Sequence, residues 1–486
     1  VRPIHKFSLA FGILSLIAAT GCGSGGSVVL HNPTGAYSVA SLNGSYVYQI
    51  HGASTLGPYR EIGLFTADAA GHITGGSDDF SNGGEIQNNI TGTYSVANDG
   101  TGFLSIGPTA LGQITFAITL ASSSKVYLME ADNFADGGGV AELQTSASAP
   151  GGTFVFRLHQ IVAGLGVNPV SEVGALTLAG GAVTAGTLDQ NSGGTSSQLT
   201  LTSGTFNAPN LQGRGLASVT DSTNAVTNLV YYVVNGGKVA LLVTNSGIVA
   251  SGSAEAQSGA VGSGLSGSYA FGSRGDFGIN YDAAATVGQL TATGGAITAY
   301  TSDAMQNGNY SNPSYTGTYT AQPNGRVAAS LNSGGVQEVF WMVTPSRAFF
   351  LVNDPSRVED GTADLQTVGS FTASTMKGQY AMVMDGIDFF NNEILARIGT
   401  AQFDGSSRAT VGELVNASST GLGAQPPVGG PPAGPYAVAT NGRAVATLNN
   451  GTGPLTLVTY AVSASDAYAL QVDGGTNTSG TIELQH

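Results

Sequence analysis

The feature that most constrains this chain is a fourfold repeat. A Gly, one residue and an aromatic open each copy: Gly44-Ser45-Tyr46, Gly152-Thr153-Phe154, Gly267-Ser268-Tyr269 and Gly378-Gln379-Tyr380. An acid, one residue and a Gln close each copy: Glu142-Leu143-Gln144, Glu255-Ala256-Gln257, Asp364-Leu365-Gln366 and Glu483-Leu484-Gln485. The openings stand 108, 115 and 111 residues apart. Each copy is thus of ordinary domain size, and the chain is an array rather than one large core. A second landmark lies inside each copy, at Gly92-Thr93-Tyr94, Gly204-Thr205-Phe206, Gly317-Thr318-Tyr319 and Gly434-Pro435-Tyr436. The turns Asp99-Gly100, Gln212-Gly213, Asn324-Gly325 and Asn441-Gly442 follow it. Three of these four dipeptides suit a two-residue type I′ hairpin, which predicts antiparallel sheet.

Alternation agrees with strands. Ile114, Phe116, Ile118 and Leu120 share one face and Thr115, Ala117 and Thr119 the other, while Tyr46, Tyr48 and Ile50 repeat as Phe154, Phe156 and Leu158. Copy one reads as eight strands, about 44–50, 62–68, 72–79, 90–97, 102–106, 114–120, 125–131 and 139–144. The expected fold is all-β: four tandem antiparallel modules, each an eight-stranded up-and-down barrel of the lipocalin or avidin kind, with a β-sandwich as the alternative. Closing first strand on last removes the exposed edges. The expected organisation is a signal peptide (1–21), a flexible tether (22–41) and modules at 42–145, 150–258, 265–367 and 376–486. The small polar linkers between copies predict that few contacts cross them.

The N-terminus gives an address. Arg2, His5 and Lys6 precede an apolar run from Phe7 to Ala19, too short to span a bilayer as a helix and of signal-peptide form. Ala19-Thr20-Gly21-Cys22 follows, with the chain's single cysteine. This stretch resembles a lipoprotein signal, which implies lipidation of Cys22 as the first mature residue. Ala19 stands where that family has Leu, so ordinary signal-peptidase cleavage is the alternative, while a lone Cys set in Gly-Cys-Gly-Ser-Gly-Gly has neither an intramolecular disulfide partner nor apolar cover. Membrane attachment through that anchor implies an extracytoplasmic lipoprotein, at the outer membrane or cell surface. The formal charge is -15, and losing Arg2 and Lys6 with the leader makes it -17. Without Lys/Arg clusters the chain cannot replace counterions on phosphate, which excludes nucleic acid as a partner.

The lipobox, the Gly-Thr-Tyr strands, the Asn-Gly-Arg turns and the copy length together resemble the secreted β-repeat lipoproteins common in acidobacteria. The resemblance spans nearly the whole mature chain and implies an extracytoplasmic location. It supplies no activity.

Signatures of chemistry are absent from the sequence. No Gly-x-Ser-x-Gly elbow occurs, and His5, His31, His51, His72, His159 and His486 lack metal-ligand spacing. His51 and His159 hold the same place in copies one and two, where Arg274 and Asp385 stand in copies three and four. Asp79, Asp189 and Asp303 share a register; the readings are an Asx-turn or a calcium loop with Asp78 and Glu85. No catalytic residue, metal site or cofactor is expected. The acid-x-Gln pairs (Glu142, Gln144; Glu255, Gln257; Asp364, Gln366; Glu483, Gln485) are the main polar signal. Alternate residues share a strand face, so each pair either lines a barrel pocket or serves the structure. The expected function is a surface structural, adhesive or binding scaffold, facing an extracellular polymer, a protein or a small ligand. The alternative is a carrier of small ligands inside its barrels, and an enzyme acting on an extracellular polymer ranks third.

Overall fold

The computed structural model describes residues 37–486 except 55–56, 82–86, 110–111, 133–134, 162–167, 278–279, 333–334, 390–392, 418–422, 426–432 and 450–453. The expected signal peptide, Cys22 and nearly all of the tether lie outside the described residues. The first copy contains β1 (Asn43–Ser54), β2 (Gly57–Asp68), β3 (His72–Phe80), β4 (Gln87–Asn88), β5 (Thr91–Val96), β6 (Thr101–Thr109), β7 (Gly112–Ser122), β8 (Lys125–Glu130) and β9 (Ala135–Leu143). The order β2-β1-β9-β8-β7-β6-β5-β3, with β3 pairing back to β2, closes an eight-stranded antiparallel barrel, and the two-residue β4 adds to β3 outside that ring. Copies three and four repeat this order, and copy two is a closed barrel of eight consecutive strands from Gly152–Gln160 to Ala250–Ala256. First and last strands pair in every copy, as Tyr46 with Leu143 and Tyr269 with Leu365. Among the described residues the only helices are two single 3₁₀ turns.

The turn chemistry differs from expectation. Ala97 N–H donates to Thr101 O and Gly100 N–H to Ala97 O, and of the intervening residues only Gly100 has positive φ, at 83°. That is a three-residue loop, a type I turn closed by a left-handed Gly, rather than type I′ with two positive-φ residues. Gly213, Gly325 and Gly442 repeat it at 81°, 88° and 88°.

Each barrel has its own apolar interior. Tyr46, Tyr48, Ile50, Phe65, Phe116 and Ile118 fill the first, and Phe154, Phe156, Leu158, Leu201 and Tyr231 the second. The outer faces of the same strands are also apolar, and these pack barrel against barrel. Val47, Ile62 and Leu64 of barrel 1 meet Val230, Tyr232 and Leu242 of barrel 2. Val155 and Val173 meet Val339, Trp341 and Phe349 of barrel 3, and Ala270, Val287 and Met305 meet Val458, Tyr460 and Leu470 of barrel 4. The fourth seam joins Ala381 and Ile398 of barrel 4 to Ala117, Tyr127 and Met129 of barrel 1. Each seam uses the first two strands of one copy, joined at the third seam by Met305 of the third strand, against the sixth and seventh strands of the next. One operation applied four times therefore returns to the start, and the barrels form a closed ring with pseudo-fourfold symmetry. The expectation that few contacts cross between copies fails because both faces of these strands are apolar.

A rotation axis keeps the same end of every barrel on the same side of the ring. One side carries the tight turns such as Ala97–Thr101 and the departure from each closing strand; the other carries the strand ends at Ser54, Phe80 and Thr109 and their counterparts.

Candidate functional site

The acid-x-Gln pairs stand on the outer barrel face. Glu142 is the register partner of Val47, a seam residue, while the flanking Ala141 belongs to the interior. Each Gln reaches into the next copy and donates from Nε2 to two backbone carbonyls around its glycine turn. Gln144 reaches Gln212 O (3.0 Å) and Val233 O (2.7 Å); Gln257 reaches Asn324 O (3.0 Å) and Met342 O (2.8 Å). Gln366 reaches Asn441 O (2.9 Å) and Ala461 O (2.8 Å), and Gln485 of the last copy reaches Asp99 O (3.0 Å) and Leu120 O (2.7 Å) of the first. The turn glycine makes room, since a Cβ on Gly100, Gly213, Gly325 or Gly442 would lie 2.6–2.8 Å from that Nε2. The acids also face across seams: Glu142 accepts from Lys238, Glu255 from Arg347, Asp364 from Tyr468 and Glu483 from Lys125.

Asp79, Asp189 and Asp303 are neither Asx-turn caps nor calcium ligands in this arrangement. Asp78 points into the barrel, where Tyr48 donates to it, and Asp79 points out; Glu85 lies outside the described residues. Asp79 accepts Arg214 Nε and Nη2, both at 2.7 Å, and the Tyr232 hydroxyl at 2.7 Å. Asp189 takes Arg326 (2.7 and 2.6 Å) and Trp341 Nε1 (2.9 Å); Asp303 takes Arg443 (2.7 and 2.6 Å) and Tyr460 (2.7 Å). These are fork-to-fork pairs, the strongest geometry open to Arg and carboxylate. At the fourth seam the matching register holds Leu414, Thr101 and Thr119, and a groove of about 600 Å³ opens beside them.

The position shared by His51, His159, Arg274 and Asp385 makes charged contacts between copies: His51, Arg274 and Asp385 join copies one, three and four, and His159 joins copy two to the acids of copy three. His51 Nε2 lies 2.8 Å from Asp385 Oδ2 and against Arg274 Nη1, and Arg274 Nη2 donates to Asp385 at 2.6 Å. His159 Nδ1 stands 2.7 Å from Asp360 Oδ1, and its Nε2 stands 3.8 Å from Asp276. Burial works against charge on His159, but Asp276 and Asp360 outweigh it and raise its pKa to about 9. Burial and Arg274 together lower the pKa of His51. Burial opposes ionisation of Asp385, yet Arg274 and His51 hold its carboxyl below the ordinary range.

The barrel interiors are unequal. In barrel 2 Phe154, Phe156, Leu188, Leu201 and Leu241 close around a void of only about 40 Å³. Barrel 3 is hollow in the half away from the turns, with an open cup of about 400 Å³. Its walls include Tyr300, Tyr315, Gln337, Glu338 and Arg357. Glu338 accepts the Tyr300 hydroxyl, and burial together with Glu359 pushes its pKa up to about 7. Arg357 pairs with Glu359 (2.9 Å) and Asp354 (3.3 Å), and Glu359 also accepts Ser273 Oγ and Thr286 Oγ1. Sequence patterning missed this cup because its lining comes from eight strands and its polar members do not recur at their registers: at that of Glu338 the other barrels hold Phe116, Leu229 and Leu457.

Among the described residues no group of three or more His, Cys, Asp or Glu is placed to hold a metal ion, and no helix is long and apolar enough to cross a membrane. No protein-family model and no curated protein matches the chain. Among solved structures it is similar to isotype 1 transferrin binding protein B from serogroup B Neisseria meningitidis, at 11% identity over 74% of this chain and 83% of that one, with a TM-score of 0.18. It is also similar to a transferrin binding protein B double mutant from Haemophilus parasuis Hp5, at 9% identity over 74% and 82%, with a TM-score of 0.16. Neither likeness bears on the function of this chain.

Proposed function

We propose that the chain is a non-catalytic extracytoplasmic scaffold, tethered to a membrane through lipid on Cys22, that holds four barrels in one ring and presents their mouths on one side. The glutamine clamps carry this reading, because the polar signal present in every copy goes into joining copies at all four seams. A residue kept four times for chemistry would point into a cavity. The anchor is tested by Cys22→Ser: several acyl chains at about 0.8 kcal/mol per buried CH₂ hold a protein to a bilayer, so the variant should move into the soluble fraction. Retention in the membrane fraction would overturn the anchor. A second reading, as a carrier, is favoured by the hollow half of barrel 3.

A further inference from the structure

We infer that the cup in barrel 3 binds a neutral saccharide of one or two rings, an inference that rests on the carrier reading and narrows it. The cup, at about 400 Å³, is in the range of small-molecule sites. Gln337 identifies what it lacks. This side chain is 8% exposed, lines the cup, and neither Nε2 nor Oε1 has a hydrogen-bond partner. It sits at a bulge, where Ala329 pairs with Glu338 and Ser330 with Val336, so that Gln337 is left between them. A buried amide left open on both atoms is costly until something supplies a donor and an acceptor together.

Charge and shape narrow the class. Arg357 is engaged by Glu359 and Asp354, and Glu338 is held by Tyr300, so the acids outnumber the one cation and an anionic ligand is repelled. An ammonium ligand has no lone pair for Gln337 Nε2. Hydroxyls both donate and accept, and adjacent hydroxyls of a sugar match the two ends of an amide. Tyr300 and Tyr315, with ring centroids 5.8 Å apart and planes at 41°, add aromatic surface for the C–H face of a sugar ring. The carboxylates are occupied as acceptors by Tyr300, Ser273, Thr286 and Arg357, which suits binding rather than proton transfer.

The test is saturation-transfer NMR on the full chain with glucose, galactose, mannose, maltose and cellobiose, and with glucuronate and glucosamine as charged probes. At least one neutral sugar should receive saturation. Its affinity should fall about tenfold or more in Gln337→Leu, the equivalent of one well-made hydrogen bond. Tyr315→Ala should weaken it too, Tyr315→Phe should retain it, and Phe103→Ser on barrel 1 should leave it unchanged. Thermal melts matching the parent chain show that the variants fold. No transfer to any neutral sugar, or transfer indifferent to Gln337→Leu, overturns the inference. Transfer to glucosamine or glucuronate alone, with the same dependence on Gln337, overturns the neutral-saccharide class and leaves the carrier reading standing.

Discussion

A carboxylate at Asp189 is worth more to this protein than its place on a strand suggests, because its partners arrive from the next copy. It is 4% exposed, grips Arg326 by both oxygens and takes Trp341 besides. Asp189→Ala should cost roughly 3–5 kcal/mol in denaturant unfolding, the usual penalty for stranding one member of a buried pair. Adding Arg326→Met should recover part of the loss; a cost under about 1 kcal/mol for the single variant would show the pair to be idle. The shared register of Asp79, Asp189 and Asp303 was legible in the sequence, but their partners were not, since each Arg lies 135 or more residues away. Local turn chemistry was the nearest explanation and the wrong one. His159 makes a pH prediction. The pKa of His159 is about 9 when folded, against 6.5 as its ordinary value, with Asp276 and Asp360 overcoming burial. The folded state therefore binds more protons between those values, and stability falls as pH rises from about 6.5 to 9. The difference in unfolding free energy between the parent chain and His159→Gln should shrink by about 3 kcal/mol across that window. A pH-independent difference would mean that the imidazolium is not held.

At the scale of strands and turns, alternation identified the inward residues correctly and was silent about the seams. Leu229-Val230-Tyr231-Tyr232-Val233-Val234 is buried throughout, with odd and even members serving barrel and seam respectively. Such an unbroken apolar run is the pattern of a strand covered on both faces, and it was the available sign that the barrels do not stand apart. The glycine turns were legible as turns. Their second duty was not, because it depends on the Gln144 amide arriving from another copy. That duty predicts an unequal pair of substitutions in barrel 2. Gly180 has φ 59° with nothing within 4 Å of where a Cβ would stand, and Gly213 has φ 81° with Gln144 Nε2 at 2.6 Å from that point. Gly180→Ala should cost only the left-handed penalty of roughly 1–2 kcal/mol. Gly213→Ala should cost that plus about 1 kcal/mol for each of the two clamp hydrogen bonds it displaces. Equal losses for the two variants in urea titrations would remove the clamp from the account of stability.

The four barrels form a ring closed by four unequal seams, and its mechanics follow from the weakest. Three seams combine an apolar patch, a glutamine clamp and an Asp-Arg-aromatic lock. The fourth keeps the patch, the Gln485 clamp and the closing-acid contact, here Lys125 with Glu483, and its Asn416 amide donates to Glu130 O and Ala135 O as Asn191 does to Val352 O at the second seam. It has Leu414, Thr101 and Thr119 where the lock would be. No covalent linker spans this seam, whereas the chain itself ties the other three, so separation there is not limited by a tether. Both considerations make it the seam that opens first, and local opening is what amide exchange measures. Exchange in β7 and β8 should therefore be faster than in the matching strands Val226–Asn235 with Lys238–Val243 and Gly335–Thr344 with Arg347–Val352. Installing the lock as Thr101→Arg, Leu414→Asp and Thr119→Tyr should slow exchange in β7 and β8 toward those strands. The gain in global stability should be smaller than the gain in protection, because desolvating a new ion pair offsets much of its attraction while its geometry still fixes the register of the two faces. Uniform exchange across the four seams of the parent chain would show that the clamp and patch alone hold the ring, and that the open groove beside Thr101 is no point of weakness.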